Sequence, residues 1–207
     1  MRLGVTMDVH WAVEGESPRD CLDRNWAGLL GRVLPEALWI PLPNAGPERA
    51  ARMLEALELD GLLFTDGLHL GSDPLRDETE LALLDAALRH GVPAFGVGRG
   101  LLLFQTRFHG GLEPAKGHRD MEHLLYLSTL PFVHHEYRQI TVNSSHRASI
   151  RKLGRGLQPF AVDRGGSVEG AYHEEHRLAG VLWNPERPGA PSEGFDARLL
   201  RSFFRMG

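Results

Sequence analysis

Three short segments combine residue types and spacings that chemistry can use. Gly96-Val97-Gly98-Arg99-Gly100 sets two flanking glycines about a central position, between an apolar run and an apolar helical stretch. This is the layout of a nucleophile elbow, a tight strand-to-helix turn. Its central side chain stands above the sheet, and the helix N-terminus offers backbone N–H groups to a developing oxyanion. The central residue is Gly98, however, so the turn carries nothing to attack with. Trp183-Asn184-Pro185-Glu186 supplies a carboxamide and a carboxylate two residues apart. Thr65-Asp66-Gly67 supplies a further carboxylate in a glycine-containing turn.

The elements that must position these residues alternate in type. Residues 3–6, 37–41, 61–65 and 92–97 read as short buried strands. Between them, residues 20–34 place Leu22, Trp26, Leu29, Leu30 and Val33 on one helical face, with Pro35 beyond the end. Residues 47–57 begin with proline in the first helical turn, and residues 76–90 form a helix closed by Gly91. Residues 101–108 make an apolar helix directly after the elbow. Such alternation predicts a mainly parallel sheet covered on both faces. Residues 137–143, 157–162, 167–172 and 179–183 read as strands separated by turns, an antiparallel or mixed extension, and residues 195–204 as a last helix. No linker or repeat interrupts the pattern, so residues 1–207 are expected to form one α/β domain. Parallel sheets bind ligands at the carboxyl ends of their strands, where all three segments fall.

Composition narrows the function. With 42% apolar and 24% charged residues, the chain has the makeup of a globular protein and not of a disordered one. A net charge of −4 provides no basic field for nucleic acid. No apolar run reaches the length of a membrane span, and the first residues lack the pattern of a secretion signal, so a cytoplasmic protein is expected. Of the 23 basic residues only Lys116 and Lys152 are lysines, a skew that reads as a GC-rich genome. Cys21 is the sole cysteine, which excludes an internal disulfide.

Motifs along most of the chain resemble the class I glutamine amidotransferase-like family, in its branch that hydrolyses γ-glutamyl amides. They are Arg19-Asp20 with Leu22-Asp23 and Trp26, Leu62-Leu63-Phe64-Thr65-Asp66-Gly67, Arg76-Asp77 with Glu80, and Gly96-Val97-Gly98-Arg99-Gly100. Gly117-His118 with His123, Val142-Asn143-Ser144-Ser145-His146 and Trp183-Asn184-Pro185-Glu186-Arg187 complete the set. The resemblance implies a flavodoxin-like fold with a mainly parallel sheet, helices on both faces and an antiparallel C-terminal extension. It also implies a Cys–His–Glu triad, of which only Glu186 remains. Gly98 stands at the cysteine position and Asn184 at the histidine position. Asp66 replaces a loop glycine of the oxyanion region, and Leu102 a glutamine that helps hold the γ-glutamyl group.

A carboxamide is no general base near neutral pH, and loss of a triad nucleophile costs on the order of 10⁶ in turnover in a well-studied hydrolase. The expectation is therefore a pseudoenzyme, without a cofactor. The resemblance implies that it would bind a γ-glutamyl or nucleotide-like small molecule, or a partner, in nucleotide-sugar or surface-glycan metabolism. The alternatives are a hydrolase in which Asp66 or Glu186 activates water, aided by His69 or His146, and a scaffold subunit. Ligand contacts are expected from Asp66, Gly67, Arg99, Gly100, His118, His123, Asn143, Ser144 and His146. Asn143 and Ser144 could instead cap a helix, Arg99 could be structural, and Trp26 is read as core. Cys21, read as the start of the first helix, could have its pKa lowered by the helix dipole, though the bland reading is a structural thiol. The pairs His134-His135-Glu136 and His173-Glu174-Glu175-His176 are read as polar turns, and no metal site is expected. Phe203-Phe204 could finish the core or face a homodimer or a partner enzyme.

Overall fold

The computed structural model describes residues 1–11, 17–115 and 121–205. Its first half runs β1 (Arg2–Thr6), β2 (Asp8–His10), β3 (Arg19–Cys21), α1 (Asn25–Val33), β4 (Leu38–Leu42), α2 (Pro47–Ala56), β5 (Gly61–Phe64), α3 (Pro74–His90), β6 (Ala94–Val97) and α4 (Arg99–Arg107). The second half is nearly all strand: β7 (Gly111–Pro114), β8 (Met121–Leu127), β9 (Gln139–Ser144), β10 (Ala148–Lys152), β11 (Leu157–Asp163), β12 (Val168–His173) and β13 (Leu178–Val181), closed by α5 (Glu193–Arg205). Strands β4, β1, β5, β6 and β13 pair in parallel in that order. The sheet then turns antiparallel through β12, β11, β8 and β9, with β10 on β12 and β7 on β10.

Alternation along the strands sorts two cores. In β5, Leu63 faces the core built with α1 and α5, while Leu62 and Phe64 face the one built with α2, α3 and α4. Helix ends follow local chemistry. Asp73 caps α3 by accepting the Arg76 N–H at 2.9 Å, Pro74 opens the helix, and Gly91 ends it at φ 66°. Helix α4 lies close on the sheet because three glycines leave room. A Cβ on Gly96 would sit 2.6 Å from the Gly100 carbonyl carbon, one on Gly100 2.5 Å from the Phe64 oxygen, and one on Gly180 2.6 Å from the Gly96 oxygen.

The α/β architecture expected from the sequence is present, with several revised boundaries. Residues 19–21 do not begin a helix: they form β3, antiparallel to β2, and α1 starts only at Asn25. Strands β7, β8 and β10 were not anticipated. Strand β10, not a helix, follows Asn143 and Ser144, so the capping alternative for those residues falls away. Phe203 and Phe204 are buried, Phe203 with its ring 5.3 Å from that of Phe95, and so finish the core. Among the described residues no helix is long and apolar enough to cross a membrane.

Candidate functional site at the elbow

The turn between β6 and α4 has the backbone geometry of a nucleophile elbow, with a glycine at its central position. Gly98 holds φ 54°, ψ −111° between β6 and α4, a left-handed conformation that only glycine adopts without strain. Its N–H is spent on the Val181 oxygen at 2.8 Å. The next N–H, that of Arg99, is the one such a turn directs at an oxyanion. Here it donates to Asp66 Oδ1 at 2.9 Å. The Asp66 carboxyl also fills the space above the elbow, and a Cβ on residue 98 would overlap it. One side chain thus occupies both the space above the turn's central residue and the N–H that follows it.

Asp66 continues into a chain of hydrogen bonds. Asn184 Nδ2 donates to Asp66 Oδ2 and to Glu186 Oε1, each at 3.0 Å. Asn184 Oδ1 accepts from Ser145 Oγ at 3.1 Å, and Ser145 Oγ in turn accepts from Arg187. Asn143 holds the backbone of this turn from β9, donating to the Asn184 oxygen and accepting its N–H, both at 2.9 Å. Burial pushes the Glu186 carboxyl up to about 7, and the nearby Asp66 charge adds to the shift.

Under the loop lies a buried charge network. The Arg76 guanidinium bonds Asp8, Glu80 and the Asp66 backbone oxygen, the last at 3.0 Å. Arg99 turns its guanidinium to Glu80 and Asp77. Burial draws the Arg99 pKa down to about 10. Gly67, at φ 135°, lies so close to Asp8 that a Cβ would overlap its carboxyl.

Two clefts, each of about 380 Å³, share Asp66 and Gly67 as a wall. The first is lined further by Asp8, Cys21, Asp23, Trp26, Glu186 and Arg187. The second is lined by His69, Leu70, Leu102, Leu112, Ser145 and His146, among others, and is markedly more apolar. Behind the second, Glu169 of β12 is fully buried, with His123 Nε2 at 2.9 Å and His146 Nε2 at 3.3 Å from its Oε1. Burial opposes ionisation of Glu169, but the two imidazoles outweigh it and draw the carboxyl down to about 2. The same contact raises the pKa of His123.

A family model for Peptidase C26 matches residues 32–186. The chain belongs to the Peptidase C26 family. Individual proteins extend the likeness. The chain is 24% identical over 212 residues to the γ-glutamyl-CDP-amidate hydrolase of Campylobacter jejuni, covering 100% of this chain and 98% of that one. It is 32% identical over 149 residues to a glutamine amidotransferase-like protein of Lactococcus lactis, where it spans 64% of itself and 61% of the relative. In fold it resembles a glutamine amidotransferase of Thermotoga maritima, with a TM-score of 0.70 at 14% identity over 99% of this chain and 90% of that one.

Against this Peptidase C26 frame, the residues singled out in the sequence divide into groups. Gly98, Asp66, Asn184 and Glu186 converge, joined by Ser145, which sequence reasoning passed over. Gly67, Arg99 and His146 line the clefts. Arg99 presents its backbone there and commits its guanidinium to Glu80 and Asp77. Gly100 is a packing residue against Phe64. Asn143 positions the Asn184 turn, Ser144 is buried within β9, and His123 contacts Glu169. His118 lies outside the described residues. Cys21 sits in β3, not at a helix N-terminus, and burial with neighbouring carboxylates raises its thiol pKa, opposite to the expected direction. The His173 ring is a turn-former, its Nδ1 accepting from the backbone of Glu175 and His176. Among the described residues no three His, Cys, Asp or Glu side chains converge as a metal site.

Glu169 was also missed. Its one signal was a carboxylate placed between Val168 and Gly170 in an apolar strand, which demands buried partners.

Proposed function

We propose that this protein binds a small ligand in the clefts beside the elbow and runs no thioester chemistry. The observation that carries this reading is the Asp66 carboxylate, seated on the Arg99 N–H and over Gly98. An oxyanion hole works by stabilising negative charge that develops there. A fixed carboxylate in the same place repels that charge and takes the donor. With Gly98 and Asn184 at the other two positions, neither attack nor general-base catalysis by the family's route is available. The name of the Campylobacter jejuni relative makes γ-glutamyl and cytidine compounds the first ligands to try.

The test is glutamate release from glutamine and γ-glutamyl amides. The wild type should be silent. The Gly98→Cys/Asn184→His variant should also stay silent, because Asp66 still overlaps a side chain at 98. Adding Asp66→Gly should bring turnover back. Ordinary enzymatic rates from the wild type would overturn the reading.

A second reading is favoured by one feature, the Asn184 amide that bridges Asp66 and Glu186. One of those two carboxyls would then take a proton from the attacking water, and the other would give one to the departing amine. It requires turnover that Asp66→Asn abolishes and that thiol reagents leave intact.

A further inference from the structure

The cleft bounded by Asp66 and Glu186 carries an excess of acceptors. Asp8, Asp23, Asp66 and Glu186 line it, with Arg187 as the basic residue among its lining. Three of the four acids are engaged: Asp8 with Arg76 and the Leu68 N–H, Asp23 with the Asn25 N–H, and Asp66 with Arg99 N–H and Asn184. Arg187 is exposed and bonds Ser145. Glu186 differs. It is only 8% exposed, its Oε1 accepts from Asn184, and its buried Oε2 has no hydrogen-bond partner. A buried acceptor left without a donor is costly, so a donor delivered by a ligand would be rewarded there.

Resting on the reading that these clefts bind ligands, we propose that this one receives an alkylammonium group, its nitrogen donating to Glu186 Oε2 and toward Asp66. Four features select this chemistry. The site sets four carboxyl groups against one arginine, which is already bonded to Ser145, so it discriminates against anions. An ammonium carries three N–H donors and no acceptor, which matches acceptors spread around a cleft. A divalent metal needs its oxygens gathered on one point, and among the described residues none gather so. Leu22 and Trp26 in the lining give an alkyl chain something to pack against.

The experiment is calorimetric titration of the full chain with n-butylammonium chloride at about pH 8.5, where the Glu186 carboxyl is ionised, and at constant ionic strength. Parallel titrations use n-butanol, sodium butyrate and magnesium chloride. Butylammonium should bind saturably, at least tenfold more tightly than butanol, with butyrate and magnesium silent. Glu186→Gln should weaken it at least tenfold, and Asp23→Asn, whose carboxyl already accepts from the Asn25 N–H, should weaken it less while leaving thermal melting near wild type. Equal binding of butanol, tighter binding of butyrate or magnesium, or an amine affinity indifferent to Glu186→Gln would overturn the proposal. If a γ-glutamyl or cytidine compound binds saturably while butylammonium does not, the binding function stands and the ammonium assignment falls. Glutamate release by the wild type would instead remove the function itself.

Discussion

At the scale of single residues, one carboxylate decides what its neighbours can do. Asp66 holds the Arg99 N–H, fills the room above Gly98 and, through Asn184, joins Glu186. Glu186 then has a measurable pH signature. A carboxyl whose folded pKa is raised binds its proton more tightly when folded, so stability falls as pH climbs from the unfolded value toward the folded one. For Glu186 that window runs from 4.5 to about 7, and the shift corresponds to a loss on the order of 3 kcal/mol across it. Asp196 adds a loss of the same sign: buried between Trp183 Nε1 and Ser192 Oγ, it is pushed from 3.8 up to about 7. Urea unfolding at pH 4.5 and pH 7.5 should show wild type weaker at the higher pH, with Glu186→Gln cutting the difference by a third or more. An unchanged difference would mean Glu186 is ionised at neutral pH in the folded protein.

At the scale of elements, the site depends on how closely α4 lies on β5 and β6. Gly100→Ala would press a Cβ into the Phe64 carbonyl, a backbone atom that has no rotamer to yield. Overpacking of this kind costs about 1–3 kcal/mol, so the urea midpoint should drop, and a variant as stable as wild type would show that α4 can shift outward. The loop after β5 depends in turn on α3. Arg76 is fully buried and carries that loop through the Asp66 backbone oxygen. Arg76→Met would strand Glu80 and Asp8 without one of their cations, and breaking a buried pair from one side costs about 3–5 kcal/mol. Arg76→Lys keeps the charge but loses the fork that reaches Asp8, Glu80 and the loop oxygen together, so it should recover part of the loss and not all.

At the scale of the molecule, two titrating centres oppose each other across the change from parallel to antiparallel pairing. Glu169, held at about 2 by His123 and His146, stabilises the fold above its unfolded value of 4.5, and this contribution is lost as pH falls toward 2. His123, raised by the same contact, stabilises below 6.5 and loses that contribution as pH rises through its folded value. The Glu186 and Asp196 penalties grow from about pH 4 to 7. Maximum thermal stability should therefore lie near about pH 5 and not at neutrality. Melting curves across pH 3 to 9 check this, and the Glu186→Gln/Asp196→Asn pair should move the maximum upward. A wild-type maximum at or above pH 7 would contradict the assigned shifts.

Periodicity and punctuation in the sequence determined much of the parallel half of the fold, because apolar spacing in α1 and α2, the proline at the start of α2 and Gly91 at the end of α3 are local physics. The missing nucleophile was equally legible, since a glycine at residue 98 has no side chain in any fold. Other features rested on partners far away in the chain. Residues 19–21 form a strand because β2 lies beside them, and β10 exists because β7 and β12 accept it. Glu169 is tolerable only where two imidazoles, 46 and 23 positions distant, meet it. That Asp66 would settle on the elbow itself, with Asn184 arriving from 118 positions away, was decided by tertiary structure alone: a carboxylate's role is set by which donors the fold brings within 3 Å of it.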